Sequence, residues 1–500
     1  MPNQHLDFPG DYNLNKIDII TATGEVLPLR MGIIMELNVY EDIEKNALTG
    51  SMAILDSANI ITNTPLQGNE RLRFKLSTPG TGDAETIVDA SEETGYPFYI
   101  YAITDRKTVS ETLMSYNIHF CSRELMRNAR TRVSRAYDGS LDNTALKILR
   151  DETGLDSKKK FYYEQTRNKD KFVIPNIRPL SAMNLLSTRA LSKNANGAGY
   201  YFYETTKGFH FRSYESMLAG QGKNARLPKL ILRYQPKTLF NKMDRKRYNM
   251  HNVDSYQVMQ HFDTLSQQAM GTYASRVITY NFFDKAYQIS DYNYHNEYGQ
   301  HFHADTLGST YKSNFPITNA PVDREQKLEG TGDRGVSDYP HSHVVLQPST
   351  RYLHNEDTGV FGTSTDNEGK TEAIRISQEN QVNNSLRMKV VMPGHSYIQA
   401  GDVVDFQLPS LERNKGEKAG YAYDEKHSGR YVVAKCRHRL IKQEYKMILE
   451  LVKDTVYTPH EQGPRTYEGK EQNSKGSTDI YREDKNICLL YTSPSPRDSV

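Results

Sequence analysis

Apolar and polar residues alternate along much of the first 125 residues. The alternation is clearest at 35–40, at 71–76 and at 116–120. A period of two places successive side chains on opposite faces of a strand, so these runs predict strands with one buried and one wet face. The run 78–83 has the Gly and Pro content of a turn. Short strands at this spacing predict an antiparallel sandwich or barrel.

The pattern changes to a helical period after residue 121. We expect Ser122 to cap a first helix, a second helix to stop near Gly154, and Pro179 to open a third. The apolar residues assigned to the buried faces of these helices are Leu125, Met126, Ala129, Val133 and Ala136, then Leu141, Ala145, Ile148 and Leu149, then Ala182, Leu185, Leu186 and Ala190. A hairpin is expected over 200–213. Residues 126–235 therefore form a predicted α+β unit between two β units.

The second β unit is interrupted by a long polar segment. It is expected to start with a short helix through Tyr256, Met259, Phe262 and Leu265. Residues 296–372 lose periodicity and are rich in small and polar residues, so we interpret them as a long loop excursion. The strands expected on either side are 272–281, 285–294, 386–392, 430–438 and 445–452. Residues 457–487 are expected to be a polar tail.

Length, charge and cysteine content limit the class of protein. The 500 residues predict about two to four domains. Lys and Arg total 63 against 61 Asp and Glu, and this net charge of +2 gives no global argument for nucleic-acid binding. Three cysteines, Cys121, Cys436 and Cys488, favour a reducing compartment over a disulfide framework. No run approaches the roughly 18 apolar residues of a membrane helix, and no signal peptide is visible, so we expect no membrane insertion.

The last residues, 488–500, are set apart from the rest of the chain. Residues 488–498 match one reading frame of a common transposon-based sequencing adapter, residue for residue. We expect this segment to be a sequencing artefact that hides the natural C-terminus, and it is left out of the fold predictions. The alternative is a disordered tail rich in Ser and Pro.

Two motifs resemble ligand sites without the setting that such sites need. Residues 330–335 match GxGxxG, but no strand pattern precedes them and no helix pattern follows, so we interpret them as loop. Two HxH pairs could chelate a metal through His301, His303, His341 and His343, with Asp305 and Asp338 as oxygen ligands. Because these pairs lie in the least periodic segment, we expect surface histidines and no metal site.

Catalytic motifs are missing from the sequence. It contains no GxSxG, HExxH or P-loop pattern. Glycan hydrolysis would need two facing carboxylates, and no recognisable setting holds Glu41, Asp42, Glu92, Glu93, Asp151 or Glu152. We therefore predict that the protein is not an enzyme, with no catalytic residue and no cofactor.

Two basic clusters could touch a phosphate backbone. The first follows Cys121 and contains Arg123, Arg127, Arg130, Arg132 and Arg135. The second contains Lys242, Arg245, Lys246 and Arg247, next to Tyr248. Basic helices can bind nucleic acid, but such runs are more often solvated faces or salt-bridge partners. We expect transient DNA contact at most.

Three stretches together resemble the baseplate hub of T-even-like contractile phage tails, particularly in marine myoviruses. The first comprises 37–43, 48–51, Asp56 and 65–72; the second is 208–213; the third comprises 393–394, 400–404, 428–433 and His438. The third stretch also resembles the hub-like half of type VI secretion spike proteins. The resemblance covers most of residues 6–456 and rests on the order and spacing of the motifs. Gly50 and Gly401 fit positions where a side chain would obstruct close backbone approach.

The resemblance implies a structural virion protein assembled in the host cytoplasm. Hubs of this family are trimers whose chains each carry two tail-tube-like antiparallel β-barrels, so that six barrels form a pseudo-sixfold ring. Such a ring joins a hexameric tail tube or its adaptor to a trimeric spike and leaves an axial channel for DNA. Here the barrels would be 1–125 and 236–295 plus 373–456, with the α+β unit outside the ring. No residue can be assigned to a partner from the sequence.

Three other functions remain open at this point. The chain could be a truncated hub-spike fusion of the secretion type, with a spike encoded after residue 456. It could be a hub that carries or works beside a cell-wall hydrolase. It could be a tube-like ring protein with true sixfold symmetry, although two β units in one chain argue against that.

Overall fold

The computed structural model describes most of the chain from residue 9 to residue 455. The described residues are 9–64, 66–79, 88–91, 96–167, 169–219, 228–234, 251–282, 285–305, 334–349, 352–355, 360–363, 368–395, 397–413, 421–424, 426–441 and 444–455. The fold is mostly β, with helices both between the two β units and within the second one. Within the described residues, no helix is both long enough and apolar enough to cross a membrane.

The first β unit contains strands where alternation predicts them. Its elements are β1 (Asn13–Ile20), β2 (Val26–Pro28), β3 (Ile34–Asp42), β4 (Thr49–Asp56), α1 (Ile60–Asn63), β5 (Arg71–Ser77), β6 (Val88–Asp89), β7 (Phe98–Ser110) and β8 (Leu113–Cys121). In β5, Leu72, Phe74 and Leu76 are buried while their neighbours are half-exposed. The predicted strands at 35–40, 71–76 and 116–120 are confirmed.

The α+β unit differs from the prediction in its first helix. Its elements are α2 (Arg123–Arg130), β9 (Val133–Ser140), α3 (Leu141–Arg150), β10 (Phe161–Tyr163), β11 (Lys169–Ile177), α4 (Pro179–Arg189), β12 (Tyr200–Thr205), β13 (Gly208–Ser213) and α5 (Tyr214–Leu218). Val133 and Ala136 do not continue the helix but lie in β9, which pairs antiparallel with β11. Backbone hydrogen bonds to β11 hold this segment as a strand, although its apolar residues have a helical spacing. The hairpin β12–β13 and the helix opened by Pro179 are confirmed.

The remaining elements continue from residue 231. They are β14 (Ile231–Tyr234), β15 (Asn252–Val253), β16 (Ser255–Gln260), α6 (Thr264–Ala269), β17 (Ala274–Asn281), β18 (Ala286–Asn293), α7 (Tyr294–Glu297), β19 (Val344–Pro348), β20 (Tyr352–Asn355), β21 (Val360–Thr363), α8 (Glu368–Asn384), β22 (Leu386–Pro393), β23 (Val403–Gln407), β24 (Pro409–Arg413), β25 (Tyr421–Tyr423), β26 (Gly429–Ile441) and β27 (Glu444–Lys453). Short 3-10 turns lie at Met31–Ile33, Tyr298–Gln300, Val336–Asp338 and Pro340–Ser342.

The helix predicted through Tyr256 and Leu265 is wrong in its first half. Tyr256 and Met259 lie in β16, which pairs antiparallel with β22. The helix α6 begins only after Asp263, whose carboxylate accepts the backbone N–H of Ser266 at 3.0 Å as an N-cap. Leu265 is 83% exposed, so the apolar residues at helical spacing do not form a buried stripe.

Both β units join in one sheet. Fifteen strands are connected, in the main order β15-β14-β23-β26-β3-β4-β8-β7-β5-β1-β2, with β27, β22 and β16 leading away from the other edge of β26. The units meet where β3 pairs antiparallel with β26, from Asp42 opposite Lys435 to Glu36 opposite Ile441. We call this pairing the β3–β26 seam. Among the described strands, no closed barrel is present.

One hydrophobic core runs beneath this sheet and draws on both units. Phe74 and Phe120 from the first unit belong to the same buried cluster as Met388 and Leu449 from the second. The α+β unit has a separate core that includes Leu141, Ile148, Leu186 and Phe209. A separate three-stranded sheet, β18-β17-β19, is covered on one side by α8. The two β units thus share one large core, and a smaller cluster that includes Ile43, Tyr203 and Val432 joins the insertion to both of them.

Two of the glycines in the hub-like motifs occupy crowded positions. A Cβ on Gly50 would lie 2.2 Å from Cζ of Phe120. Gly401 has a φ of +82°, and a Cβ there would lie 2.0 Å from the hydroxyl oxygen of Tyr203. A Cβ on Gly50 would also lie 2.6 Å from the carbonyl oxygen of Asn38, so the expected close backbone approach is confirmed there, whereas at Gly401 the crowding comes from the Tyr203 side chain.

The segment predicted as a loop excursion contains ordered elements within its described part. Residues 301–305 are packed into the interior, and β19 pairs parallel with β17. The helix α8, which begins at Glu368, has no counterpart in the prediction. Its buried side carries Thr371, Ser377 and Gln378 among others. Because so many of its buried residues are polar, the sequence shows little apolar periodicity there.

Candidate functional site

The outer face of the sheet carries a row of polar side chains across the β3–β26 seam. We call it the polar face and define it by Glu36, Asn38 and Tyr40 of β3, Ser51 of β4, and Arg437 and Arg439 of β26. In the register, Asn38 stands opposite Arg439 on one side and opposite Ser51 on the other. The intervening residues, such as Leu37 and Val39, point into the core. Alternation on both sides of the seam therefore builds one continuous polar surface.

Glu36 is the centre of the hydrogen bonding on the polar face. Its Oε1 accepts from Nη2 of Arg437 at 2.8 Å and from Nε of Arg439 at 3.0 Å. Asn38 donates to the same oxygen at 3.0 Å and accepts from Nε of Arg437 at 2.9 Å. The hydrogen bond from Arg439 is the main reason why the pKa of Glu36 is lowered. One carboxylate thus partners two guanidinium groups from the other unit.

Further ion pairs continue this pattern from the end of the seam at Lys435 to β22 and β27. Lys435 lies 3.1 Å from Glu44 and 3.5 Å from Asp42. Arg387 lies 2.7 Å from Glu450. A groove of about 700 Å³ opens here, lined by residues that include Tyr40, Asp42, Lys389, Lys435 and Glu450. The surface is therefore concave, charged with both signs and extensively paired.

A different cluster lies on the buried side of the same seam. Glu41, Cys436 and His438 are each at most 2% exposed. Sγ of Cys436 lies 3.5 Å from Nε2 of His438, and that nitrogen lies 3.8 Å from Oε1 of Glu41. The other ring nitrogen of His438 is hydrogen-bonded to the hydroxyl of Tyr445 at 2.7 Å. We call Glu41, Cys436 and His438 the seam cluster.

The seam cluster is unsuited to nucleophilic catalysis as it stands. Burial raises the pKa of the Cys436 thiol well above its ordinary value, so the thiolate nucleophile is scarce. Burial also opposes ionisation of Glu41, but the nearby imidazole of His438 and the hydrogen bonds from the amides of Thr206 and Ala400 outweigh it and lower the pKa of Glu41. This carboxylate accepts both amides at 2.8 Å, one from the β12–β13 turn and one from before β23. Glu41 therefore connects β3, in which it lies, to the β12–β13 turn and to the segment before β23.

The four histidines of the predicted HxH pairs do not converge. His301 and His303 are buried, which contradicts the expectation of surface histidines. Nδ1 of His301 lies 2.6 Å from Glu215, whereas Nδ1 of His303 lies 2.7 Å from Asp454. His341 is exposed and His343 is half-buried, both near β17. The sequence suggested surface side chains because polar partners, not apolar neighbours, hold 301–305 in place.

Asp305 and Asp338 also go to separate places. Asp305 pairs with Lys453, with 2.7 Å between Oδ2 and Nζ. Asp338 accepts from the side chain of Asn293 at 2.8 Å and from the backbone of Gly335 at 2.8 Å. Neither aspartate joins a histidine pair in the described part of the chain.

The first basic cluster is engaged within the α+β unit. Arg123 lies 3.0 Å from Asp156, and Nε of Arg127 donates to the carbonyl of Gly154 at 2.7 Å. Arg132 and Arg135 lie in or next to β9 and not on the helix, because α2 ends at Arg130. These contacts favour a role inside the unit over nucleic-acid binding.

Several predicted features lie outside the described residues. They are the turn at 80–83, the basic cluster 242–248, the motif residues 330–333, the tail 457–487 and the adapter-like segment 488–500. In the sequence, His438 was recognised only as part of a hub-like motif and Cys436 only as one of three cysteines, so the seam cluster was missed. The signal was available on one strand, because a Cys-x-His pattern in β26 places both side chains on one face. Glu41, from the other β unit, needs the three-dimensional pairing.

No family model and no curated protein matches the chain. Among solved structures, it is similar to a tail protein of Neisseria meningitidis MC58, with 10% identity over 89% of this chain and 97% of that chain and a TM-score of 0.46. It is also similar to the 43 kDa tail protein of prophage MuSo2 from Shewanella oneidensis, with 8% identity over 88% and 98% and a TM-score of 0.46. The E. coli c3393 protein, a component of the type VI secretion system, matches with 10% identity over 85% and 76% and a TM-score of 0.37. TM-scores of this size do not by themselves establish a shared fold.

Proposed function

We propose that the protein is a structural subunit of the baseplate hub of a contractile phage tail, located in the virion. The observation that carries the proposal is the polar face, which continues without a break from β4 across the β3–β26 seam. Two β units of one chain form this surface together, as we would expect if several such units surround a channel. The hub-like sequence motifs support the same function, since 37–43 lies largely in β3 and 428–433 begins β26.

The proposed assembly is a trimer that forms a pseudo-sixfold ring. Each chain would contribute two tail-tube-like β-barrels, over 1–125 and over 236–295 with 373–456, and the α+β unit would lie outside the ring. The strands of the second β unit that reach the large sheet are β15, β16, β22, β23, β26 and β27, and β14 joins them from the end of 126–235, while β17 and β18 lie in the neighbouring sheet. The ring would join the tail tube or its adaptor to a trimeric spike.

The electrostatics of the polar face suit the passage of DNA. Free lysines and arginines neutralise phosphates and hold DNA in a salt-dependent way. Here Arg437 and Arg439 are both hydrogen-bonded to the carboxylate of Glu36, which cancels about half of their positive charge and occupies their donors. We propose that the face forms the wall of an axial channel that DNA crosses without being retained.

The native mass of the purified protein is the first test. We expect light scattering across a concentration series to give about three times the 57.3 kDa mass of one chain. Electron microscopy of that species should then show a ring with an axial opening and with Glu36 and Arg437 turned towards it. A hexamer would favour the tube-like alternative. A monomer at every concentration, with or without the spike protein, would overturn the hub proposal.

Two alternatives predict different results. A truncated hub-spike fusion predicts that the complete gene encodes a spike after residue 456, which sequencing of the intact locus decides. A hub with a hydrolase activity predicts that the purified protein releases fragments from peptidoglycan. The proposed structural role predicts none above a buffer control.

A further inference from the structure

The seam cluster combines three different ligand types for a metal ion. The β3–β26 register places Cys436 directly opposite Glu41, and His438 follows two residues along the same face of β26. One atom from each side chain, the thiol sulfur, an imidazole nitrogen and a carboxylate oxygen, lies within 4.8 Å of the other two. Within the part of the chain that the structure describes, this is the sole group of three such residues.

The distances between these atoms suit a tetrahedral ion. Zinc binds sulfur at about 2.3 Å and nitrogen or oxygen at about 2.0–2.2 Å, so neighbouring ligands of a tetrahedral site stand about 3.3–3.7 Å apart. Sγ of Cys436 and Nε2 of His438 are 3.5 Å apart, and Nε2 and Oε1 of Glu41 are 3.8 Å apart. These two separations lie within a few tenths of an ångström of tetrahedral values, and the third, from Sγ to a Glu41 carboxylate oxygen, is below 4.8 Å.

The surrounding hydrogen bonds already orient two of the three ligands. The hydroxyl of Tyr445 holds Nδ1 of His438, which leaves Nε2 directed at the cluster. The amides of Thr206 and Ala400 fix the Glu41 carboxylate and leave each oxygen with a further lone pair. A hydrogen-bonded outer shell of this kind is typical of sites in which ligating side chains are held ready for the metal.

Charge balance also favours a divalent ion. A thiolate and a carboxylate together carry two negative charges, and a neutral imidazole adds none. A divalent cation therefore gives a site without net charge, which a buried location strongly favours. The mixed sulfur, nitrogen and oxygen donors suit zinc or cobalt better than magnesium or calcium, which prefer oxygen ligands alone.

We propose that Glu41, Cys436 and His438 bind a zinc-like divalent ion that fastens the β3–β26 seam. The protein supplies three ligands, and a water molecule would complete the tetrahedron. The proposed role is structural, because the ion would cross-link the two β units through one ligand from β3 and two from β26. The proposal is independent of the hub function.

Cobalt titration of the purified full chain tests the site directly. We expect one equivalent of Co²⁺ to produce the thiolate-to-cobalt charge-transfer band and the intense visible bands of a tetrahedral ion, and Zn²⁺ to displace it. Cys436→Ser should abolish the charge-transfer band, and His438→Gln should remove the tetrahedral spectrum. Tyr445→Phe should keep the spectrum but weaken the affinity about 10–100-fold, since it changes only the outer shell.

Cys121→Ser is the matched control. Cys121 is also a buried free thiol, but it lies on β8 away from the cluster. This variant should titrate like the wild type, and in both proteins zinc should raise the Tm relative to a chelator. Cys436→Ser should show no zinc-dependent rise, a comparison that stays valid even if its basal Tm is lower. The absence of a stoichiometric charge-transfer band in the wild type, or an unchanged band in Cys436→Ser, would show that His438 and Glu41 form a metal-free hydrogen-bonded pair and would overturn the proposal.

Discussion

Two buried lysines hold parts of this protein together, and they differ in the number of their acidic partners. Lys159 lies between Glu124, at 2.9 Å, and Glu204, at 2.6 Å. Among the described residues, Lys453 has one carboxylate in direct contact, Asp305 at 2.7 Å, and it donates to the backbone carbonyl of Ser428 at 2.6 Å. The side chain of Lys453 is fully buried, whereas that of Lys159 is 13% exposed.

Because their partners differ, the pKa values of the two lysines shift in opposite directions. At Lys159 burial disfavours the ammonium group, but the attraction of Glu204 and Glu124 outweighs it and raises the pKa. At Lys453 burial wins over the attraction of Asp305 and lowers the pKa. The pKa of Asp305 is raised for the same reason, burial against the attraction of Lys453. A second carboxylate in contact thus adds enough attraction to stabilise the charged form of a buried lysine against the cost of burial.

Both lysines occupy junctions between units. Glu204 lies in β12 and also accepts the backbone N–H of Leu48, just before β4, at 2.9 Å. Lys159 therefore links the α+β unit to the first β unit. Asp305 ends the buried segment 301–305 and accepts the backbone N–H of Arg430 in β26 at 2.9 Å. Lys453 therefore anchors that segment to the second β unit.

Lys159→Met should have the largest effect. Removing the cation leaves two carboxylates facing each other in a buried site, so we expect a loss of about 3–5 kcal/mol in the free energy of unfolding. Chemical denaturation at neutral pH measures it. Because the lysine joins two units, the transition should also become less cooperative between the near-ultraviolet and far-ultraviolet signals.

Lys158→Met is the control for that variant. Lys158 is the neighbouring residue, 68% exposed, and pairs with Asp156 at 3.0 Å. An exposed pair of this kind contributes at most about 1 kcal/mol. Equal losses in the two variants would contradict the comparison between buried and exposed lysines.

Lys453→Met should have an intermediate effect of about 2–3 kcal/mol. The remaining Asp305 keeps its hydrogen bond from Arg430, and its raised pKa lets it take up a proton. In the native state Asp305 binds its proton more tightly than in the unfolded chain, where the pKa is about 3.9. Stability therefore falls as pH rises from the unfolded value through the raised native value. The loss in this variant should accordingly be smaller at pH 5 than at pH 8.

The double variant Asp305→Asn with Lys453→Met sharpens the comparison. Because it removes both charges, we expect its stability to lie within about 1 kcal/mol of the wild type, above that of Lys453→Met alone. A double variant at least as unstable as the single one would show that the pair is held by attraction rather than opposed by burial.

The sequence predicts the strands of this fold better than its junctions. Alternation identifies β3, β5 and β8 because each has one buried apolar face. It fails for α8, where Thr371, Ser377 and Gln378 are buried and bonded instead of apolar. It fails again at β9, whose conformation is fixed by pairing with β11. Local patterns report burial of apolar side chains and miss contacts made by polar ones.

The candidate site likewise contains features that the sequence predicts and features that depend on contacts between distant segments. Alternation in β3 predicts the polar face on that strand. The face continues only because β26 is the neighbouring strand, and a pairing between strands so far apart in sequence cannot be predicted from local pattern. Lys159, Glu124 and Glu204 come from three distant segments that no spacing rule connects. The histidines at 301 and 303 were recognised as a group, but only the positions of Glu215 and Asp454 explain their burial.

Glu36→Gln should have the smallest effect on stability and a distinct effect on binding. The side chains of Glu36, Arg437 and Arg439 are about one quarter to one third exposed, so the change in unfolding free energy should stay within about 1 kcal/mol. The substitution leaves two guanidinium groups without their carboxylate. We expect tighter binding of short duplex DNA at low salt, measured by fluorescence anisotropy. If both groups then contact phosphate, the slope of log affinity against log salt should steepen by about 2.

Glu379→Gln separates this effect from the change in net charge. Glu379 lies on α8, away from the polar face, and pairs with Arg375 at 2.6 Å. The variant adds the same unit of charge, but Arg375 keeps a second carboxylate, Glu372, also at 2.6 Å. Its DNA affinity should therefore match that of the wild type. Equal gains in both variants would mean that overall charge controls DNA binding. A gain confined to Glu36→Gln would mean that one carboxylate keeps the polar face from retaining DNA.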